Sequence, residues 1–475
     1  MQKKQIAIVI AAFSAAMTTN VFGSNRFESK AAYLRKKPNI IFIFTDQQNV
    51  KAISAHGNSN LMTPNIDYLV KNDVSFINSY CTSPVCGPSR SSLITGRMPH
   101  KTGVDYNNGA TIKEGVNNLG EILSKYGYET VWAGKWHLPE SYPQQKQIDS
   151  IKGFHLLKFY HPDSLGWELG SKTDKPLADA VLKFIKNYTS QKPLFLCISL
   201  HNPHDICYFP RKIDQYPNPC SSAILPPLPA NHQIPLDEPE LLSNSRKRDH
   251  YGDELLLSQK NDETKWRSYL WYYYRLTELV DAEIGRILKG LKEKGMDDNT
   301  LIVFSSDHGD GMGEKKWAAK LSLQDGPAKV PFILYFKNII PATGIDNQHL
   351  VSGIDLVPTI LDYANIEKQK GLMGLSLKKV IEAPNVNMRD FVVTELALDP
   401  FDKTLNGRMI RTNQFKYIIY SKGERREELY NMSDDPFEMK NIINSLQYQS
   451  TKIILKNLLK GWLKQTEDPF LTSLN

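Results

Sequence analysis

The first clear signal along the chain is a run of strand character, Asn39 to Thr45, that stops at the charged Asp46. Thr63-Pro64 follows, an N-cap residue and a first-turn proline that together predict a helix through Leu69. Further apolar runs predict strands at Thr130 to Ala133, Leu194 to Ser199, Thr300 to Ser305 and Val330 to Phe336, and each of the first three follows a stretch of helical spacing. This alternation predicts an α/β domain built on a mixed or mainly parallel sheet. Polar and ionisable residues gather at the C-terminal ends of these strands, the edge at which open α/β sheets bind ligands.

The pattern changes twice further on. From about residue 206 to 262 Pro, Asn, Ser and charged residues dominate without a period, which predicts an irregular surface insertion beside the site. A long helix from about Glu263 to Lys294 comes next, and its Trp271, Tyr272, Tyr273 and Tyr274 are expected to pack rather than to bind a ligand. Beyond about Gly371, short strands such as Phe391 to Thr394 and Tyr417 to Tyr420 precede a terminal helical pattern. The division this predicts is an α/β domain over residues 24–370 and a small C-terminal α+β subdomain over 371–475, with no internal repeat.

Residues 1–23 run from Lys3 and Lys4 through an apolar stretch, Ile6 to Ala16, to Val21-Phe22-Gly23, the layout of a secretory signal peptide. That stretch is shorter than the roughly 18 residues of a membrane span, and no later segment is long and apolar enough, so no membrane span is expected. The expectation is an exported protein, periplasmic or secreted. With 475 residues, 41% of them hydrophobic, the chain can bury a large core. Its charge of +7, from 58 Lys and Arg against 51 Asp and Glu, is a mild excess without blocks and gives no support to nucleic-acid binding. Five cysteines are an odd number for an exported chain and mark at least one for a task other than disulfide pairing. Cys207 and Cys220 flank a short loop and either pair or remain as thiols.

The chemistry centres on Ser83-Pro84-Val85-Cys86-Gly87-Pro88-Ser89-Arg90-Ser91-Ser92-Leu93-Ile94-Thr95-Gly96-Arg97. Here a cysteine sits in a turn, and Pro88 is suited to open a helix whose free N–H groups face the cysteine and any anion bound there. A cysteine alone in such a place is more often a packed thiol. The string Cys86-Gly87-Pro88-Ser89-Arg90 followed by Leu93-Ile94-Thr95-Gly96-Arg97, however, resembles the signature of the type I, formylglycine-dependent sulfatases, and the resemblance extends over nearly the whole mature chain.

That resemblance implies an alkaline-phosphatase-like α/β core with a large mixed sheet flanked by helices. It also implies a calcium ion, and a Cys86 oxidised by a formylglycine-generating maturase to an aldehyde whose hydrate attacks sulfur. Asp46-Gln47 and Asp307-His308-Gly309 are similar to the family's metal-binding segments, so Asp46, Gln47, Asp307, His308 and the modified Cys86 are the expected ligands. The family more often carries two adjacent Asp at the first place; Gln47 is expected to ligate through its amide oxygen. Gly134-Lys135-Trp136-His137 resembles the Gly-Lys-x-His element, which implies that Lys135 bridges the formylglycine and the sulfate and that His137 bonds the hydrated aldehyde and helps expel sulfate from the covalent ester. Arg90, one helical turn beyond Cys86, is expected to fix the hydrated aldehyde.

His201-Asn202-Pro203-His204 resembles the His-x-Pro-His segment, which makes His204 the acid for the leaving oxygen and His201 its substitute. In Gly313-Glu314-Lys315-Lys316-Trp317-Ala318-Ala319-Lys320, Lys320 fits the sulfate-binding lysine, whereas Lys315 replaces a usual histidine and is carried as a further substrate contact. The stretch from Glu428 to Ile442 is similar to the family's closing motif.

The function expected is therefore hydrolysis of sulfate monoesters, on sulfated glycans such as host mucin or glycosaminoglycan fragments. A phosphonate or phosphodiester hydrolase of the same superfamily is the alternative, because tetrahedral anions differ in charge more than in shape. A binding protein that has lost catalysis is disfavoured by the retained nucleophile, metal ligands and cations.

Overall fold

In the computed structural model of the protein, the residues described are 37–107, 109–138, 150–159, 169–212, 225–247 and 262–474. The expected signal peptide and Cys220 lie outside them. The central sheet has eight strands: β1 (Asn39–Asp46), β2 (Val74–Phe76), β4 (Glu129–Gly134), β5 (His155–Leu156), β6 (Leu194–Pro203), β7 (Thr300–Ser306), β8 (Phe332–Tyr335) and β9 (Gly344–Asp346). Their order across the sheet is β5-β4-β6-β1-β7-β8-β2-β9. β4, β6, β1 and β7 run parallel, and β8 is antiparallel to both its neighbours, so the sheet is mixed, as expected. β3 (Ser79–Tyr80) pairs separately with β10 (Val351–Ser352).

β1 is apolar almost throughout because both faces of the sheet are covered. Successive side chains point to opposite faces. Ile40, Phe42 and Phe44 join one core, with α2 (Cys86–Thr95), α3 (Leu119–Lys125) and α6 (Leu356–Tyr363). Ile41 and Ile43 join the other, with α1 (Pro64–Asn72), α4 (Leu169–Asn187) and α5 (Glu263–Glu293). The result is a three-layer sandwich of helices, sheet and helices. Thr63 precedes α1 as expected but does not cap it: its hydroxyl accepts from Ser54 N and donates to Asp67, tying the preceding turn to the helix instead.

The C-terminal subdomain is an antiparallel sheet of β11 (Phe391–Ala397), β12 (Asn406–Thr412), β13 (Phe415–Tyr420) and β14 (Glu427–Asn431), closed by α7 (Gln449–Thr466). Its alternating pattern buries both faces. Met409, Ile418 and Tyr430 face the α/β domain, whereas Ile410, Tyr417 and Ile419 face Leu455, Leu459 and Leu463 of α7. No helix among the described residues is long and apolar enough to cross a membrane.

Candidate active site

Parallel neighbours deliver their last residues to one edge. β1 and β7 pair in register up to Thr45 and Ser306, so Asp46 and Asp307 emerge side by side. β4 delivers Lys135 on the flank, after Gly134 turns the chain with φ 96°. A Cβ at that glycine would lie 2.1 Å from Ser199 O, so no other residue fits. β6 ends at Pro203 and leads directly into His204. Cys86 opens α2 rather than lying in a preceding turn, and every residue of that helix is buried.

Ligand atoms of Asp46, Cys86, Asp307 and His308 all lie within 4.8 Å of one another. The carboxylates divide their oxygens between two tasks. Arg90 donates from Nη2 to Asp46 Oδ2 (2.8 Å) and from Nε to Asp307 Oδ2 (2.7 Å), and Lys135 Nζ also holds Asp46 Oδ2 (2.6 Å). The Oδ1 atoms face the cluster, each 3.8 Å from His308 Nε2, and that of Asp307 also accepts from Gln47 N (3.1 Å) and His308 N (2.8 Å). His308 Nδ1 donates to Gly309 O at 2.8 Å, which fixes the ring so that Nε2 points inward, 3.2 Å from Cys86 Sγ, where a cation would displace its proton. This arrangement of two carboxylate oxygens and an oriented imidazole fits a divalent cation.

The electrostatics agree with that geometry. Burial disfavours ionisation of Asp46, but Lys135, with His204 and Arg90, holds its carboxyl well below the usual range. Burial likewise opposes protonation of His308, yet Asp307, Cys86 and Asp46 raise its pKa to about 9, the mark of a pocket with unmatched negative charge. The Cys86 thiol is lowered from its ordinary value: burial and Asp46 work against the thiolate, and Lys320, Lys135 and His308 outweigh them. Lys320 Nζ is 3.7 Å from Cys86 Sγ.

Three histidines complete the edge. His204 Nε2 is 4.0 Å from Asp46 Oδ1, and its ring meets that of His201 edge to face at 4.8 Å. His201 is oriented in turn by Asp205, 3.6 Å from its Nε2, and its backbone N–H by Asp174. His137, buried with φ 65°, sits where Lys135 and Arg90 reinforce the effect of burial and keep its pKa well below the usual value. His204 is lowered in the same way by burial, Lys135 and Lys320, against the pull of Asp46.

Several residues act differently from the sequence-based expectation. Arg90 directs its hydrogen bonds to Asp307, Asp46, Ser199 Oγ and Lys135 O, so it organises the two strand-end carboxylates. The Gln47 amide donates to Asp310 Oδ2 (2.8 Å), and its oxygen accepts from Cys207 Sγ (2.8 Å). Lys315 is a correction: its ammonium bonds Tyr430 Oη at 3.0 Å and lies 4.4 Å from that ring's centre, in the subdomain interface and not beside Cys86. A left-handed backbone at Lys315, φ 52°, turns the side chain that way. Sequence reasoning missed Asp310, which stands three residues past Asp307, and the Tyr273 hydroxyl, which bonds Gln47 O and so does more than pack.

Known proteins carry the same architecture. A family model described as Sulfatase matches residues 38–366, and one described as N-sulphoglucosamine sulphohydrolase, C-terminal, matches residues 313–465. The chain is 27% identical to an N-acetylglucosamine-6-O-sulfatase of Bacteroides thetaiotaomicron, over 91% of this chain and 87% of that protein. It is 28% identical to a Delta 4,5-hexuronate-2-O-sulfatase of the same species, over 93% and 92%. The solved structure of a 2-O GAG sulfatase superposes with a TM-score of 0.80 at 26% identity, over 92% of this chain and 94% of that one. With the family model spanning the sheet, the strand-end carboxylates and Cys86, the chain belongs to the sulfatase family and is a sulfuric ester hydrolase.

Proposed function

We propose that the protein hydrolyses sulfate monoesters of sulfated glycans after export, with Cys86 as the precursor of a formylglycine and calcium as its metal. The observation that carries this reading is the meeting of Cys86 with Asp46, Asp307, His308 and Lys320. The glycan class is supported by the relatives, which act by name on N-acetylglucosamine and hexuronate sulfates.

Asp46, Asp307 and His308 would hold the ion, with Gln47 beside them, and oxygen-rich donors suit calcium. The bound ion supplies Lewis acidity at the sulfate oxygens, and the aldehyde hydrate supplies the oxygen nucleophile. The chain's own residues do the rest. Arg90 and Lys135 engage the outer carboxylate oxygens, which leaves the inner pair on the side of the cluster where an ion would be held. Lys320 and Lys135 place positive charge where negative charge accumulates on the sulfate in the transition state. His204, held neutral by burial and the nearby lysines, would take a proton from solvent water as the bound sulfate anion offsets those positive charges, and give it to the departing alcohol oxygen.

The test is a panel of sulfated mono- and oligosaccharides assayed beside a phosphonate ester, with and without chelator. Desulfation that is abolished by chelation and restored by calcium is expected. Faster cleavage of the phosphonate, or rescue by zinc alone, overturns the assignment. A tryptic mass spectrum across residue 86 reports the aldehyde directly.

A further inference from the structure

Lys320 is carried on a backbone of uncommon shape. Met312, Lys315, Lys316, Ala319 and Leu321 all have φ between 48° and 69°. None is a glycine or asparagine, so in each the Cβ crowds the backbone. A segment with five such residues keeps its shape only where its surroundings over-determine it. Internal bonds from Gly311 N to Ala319 O (2.8 Å) and Gly313 N to Trp317 O (3.0 Å) supply part of that constraint.

The rest comes from the irregular insertion. Arg246 is buried, and its guanidinium donates from Nη2 to Lys315 O and from Nη1 to Lys316 O, both at 2.7 Å. It also lies 4.6 Å from the centre of the Trp317 ring. The Trp317 Nε1–H in turn donates to Lys320 O at 2.7 Å. Glu238 fixes the guanidinium from behind, accepting from Nε at 2.9 Å and from Nη2 at 2.7 Å. Glu238 and its neighbour Glu240 are held by the β13–β14 turn, through Arg425 Nε to Glu238 O (3.1 Å) and Glu424 N to Glu240 Oε2 (2.7 Å). An unbroken path of polar contacts therefore joins the C-terminal subdomain to the lysine beside Cys86.

We propose that Arg246 is a positioning residue for Lys320: by clamping two carbonyls and the Trp317 ring, it sets the ammonium against Cys86 and determines the affinity of the site for a sulfate anion. This rests on the reading of Lys320 as the sulfate-binding group. Only a planar fork of donors can meet two carbonyls and a carboxylate while stacking on an indole, so lysine at position 246 cannot replace it.

The experiment uses the full-length protein and inorganic sulfate, with equilibrium binding by calorimetry beside KM and kcat. Arg246→Lys is paired with Trp317→Phe, which keeps an aromatic ring beside the guanidinium and removes the donor to Lys320 O. Both are expected to weaken sulfate binding and raise KM, by on the order of ten- to a hundredfold, since misplacement by about 1 Å can cost that much. In a Lys320→Ala background, adding Arg246→Lys should change sulfate affinity less than about twofold, because the coupled partner is already gone. Additive losses in the double variant, or wild-type sulfate affinity in both single variants, overturn the proposal. If Lys320→Ala itself binds sulfate normally, the role of Lys320 fails and the proposal falls with it. A loss in Lys320→Ala with none in Arg246→Lys rejects Arg246 alone.

Discussion

At the scale of single residues, the site works by dividing each carboxylate between an inner and an outer partner. Arg90 takes the outer oxygen of both Asp46 and Asp307. Arg90→Ala should therefore lower calcium affinity as well as destabilise the fold, by about 3–5 kcal/mol, because buried Asp307 loses its cation while Asp46 keeps Lys135. Calcium titration beside denaturant unfolding checks both, and unchanged calcium affinity would show that the inner oxygens orient themselves. His204 gives a different signature. Its loss should cost about 10²–10⁴-fold on a sulfated sugar, whose alkoxide needs a proton, and far less on a nitrophenyl sulfate, whose phenolate does not. Equal losses on both substrates would transfer the acid role elsewhere, with His201 next to it the first candidate. Much of this was legible in the chain, because Cys86 to Arg97 and Asp307-His308 are contiguous strings at strand or helix ends. Lys315 was not, since sequence does not show a left-handed φ that turns a side chain away from its neighbours' target.

At the scale of elements, the strand ends aim the chemistry and the helices fix the strands. Asp73 ends α1, and its carboxylate accepts from Phe336 N just beyond β8 while its carbonyl accepts from Gly344 N at the start of β9. Burial, only partly offset by the Phe336 N–H, raises its pKa to about 7 from a usual 3.8. Between those values the folded chain keeps a proton that the unfolded chain releases, so stability is fully present below about pH 4 and is lost as pH rises through 7. Asp73→Asn keeps the acceptor without the charge. Its melting temperature should exceed that of the natural protein at pH 8 and converge on it near pH 4; parallel curves would remove Asp73 as the cause. The five longest strands of the central sheet were readable from apolar runs, whereas β2, β5 and β9, two or three residues each, were too short to show one, and the direction of β8 was hidden because an antiparallel and a parallel strand buried on both faces carry the same pattern.

At the scale of the whole molecule, the subdomain supports the site from behind. Lys416, on β13 and fully buried, bonds Asp325 Oδ1 at 2.9 Å and Glu438 Oε1 at 2.5 Å. Asp325 begins the turn whose Pro327 O accepts from Gly309 N, next to His308. Lys416→Met should leave buried Glu438 without its paired cation and Asp325 with only the more distant Lys329 (3.5 Å), and cost about 3–5 kcal/mol in denaturant unfolding. A change below about 1 kcal/mol would mean the pair protonates or hydrates instead. Neither this contact nor the grip of Arg246 on Lys315 and Lys316 could be read from sequence, since the partners are some seventy to ninety positions apart and the insertion has no period to align.

The complete burial of α2 also dictates an order of events in the life of the chain. Cys86 and the residues after it that a modifying enzyme would have to read, through Thr95, have no surface in the folded protein. If Cys86 is oxidised as proposed, that step must come before folding, on a nascent or still extended polypeptide. Chains that fold first should be permanently inactive, well formed and indistinguishable by melting curve from a Cys86→Ala variant. Incubating such folded, unmodified protein with a maturase should yield no aldehyde, while a peptide spanning residues 83–97 is converted. The activity of any preparation then records how translation speed compared with the supply of that enzyme, and a purified batch carries that ratio for as long as it stays folded.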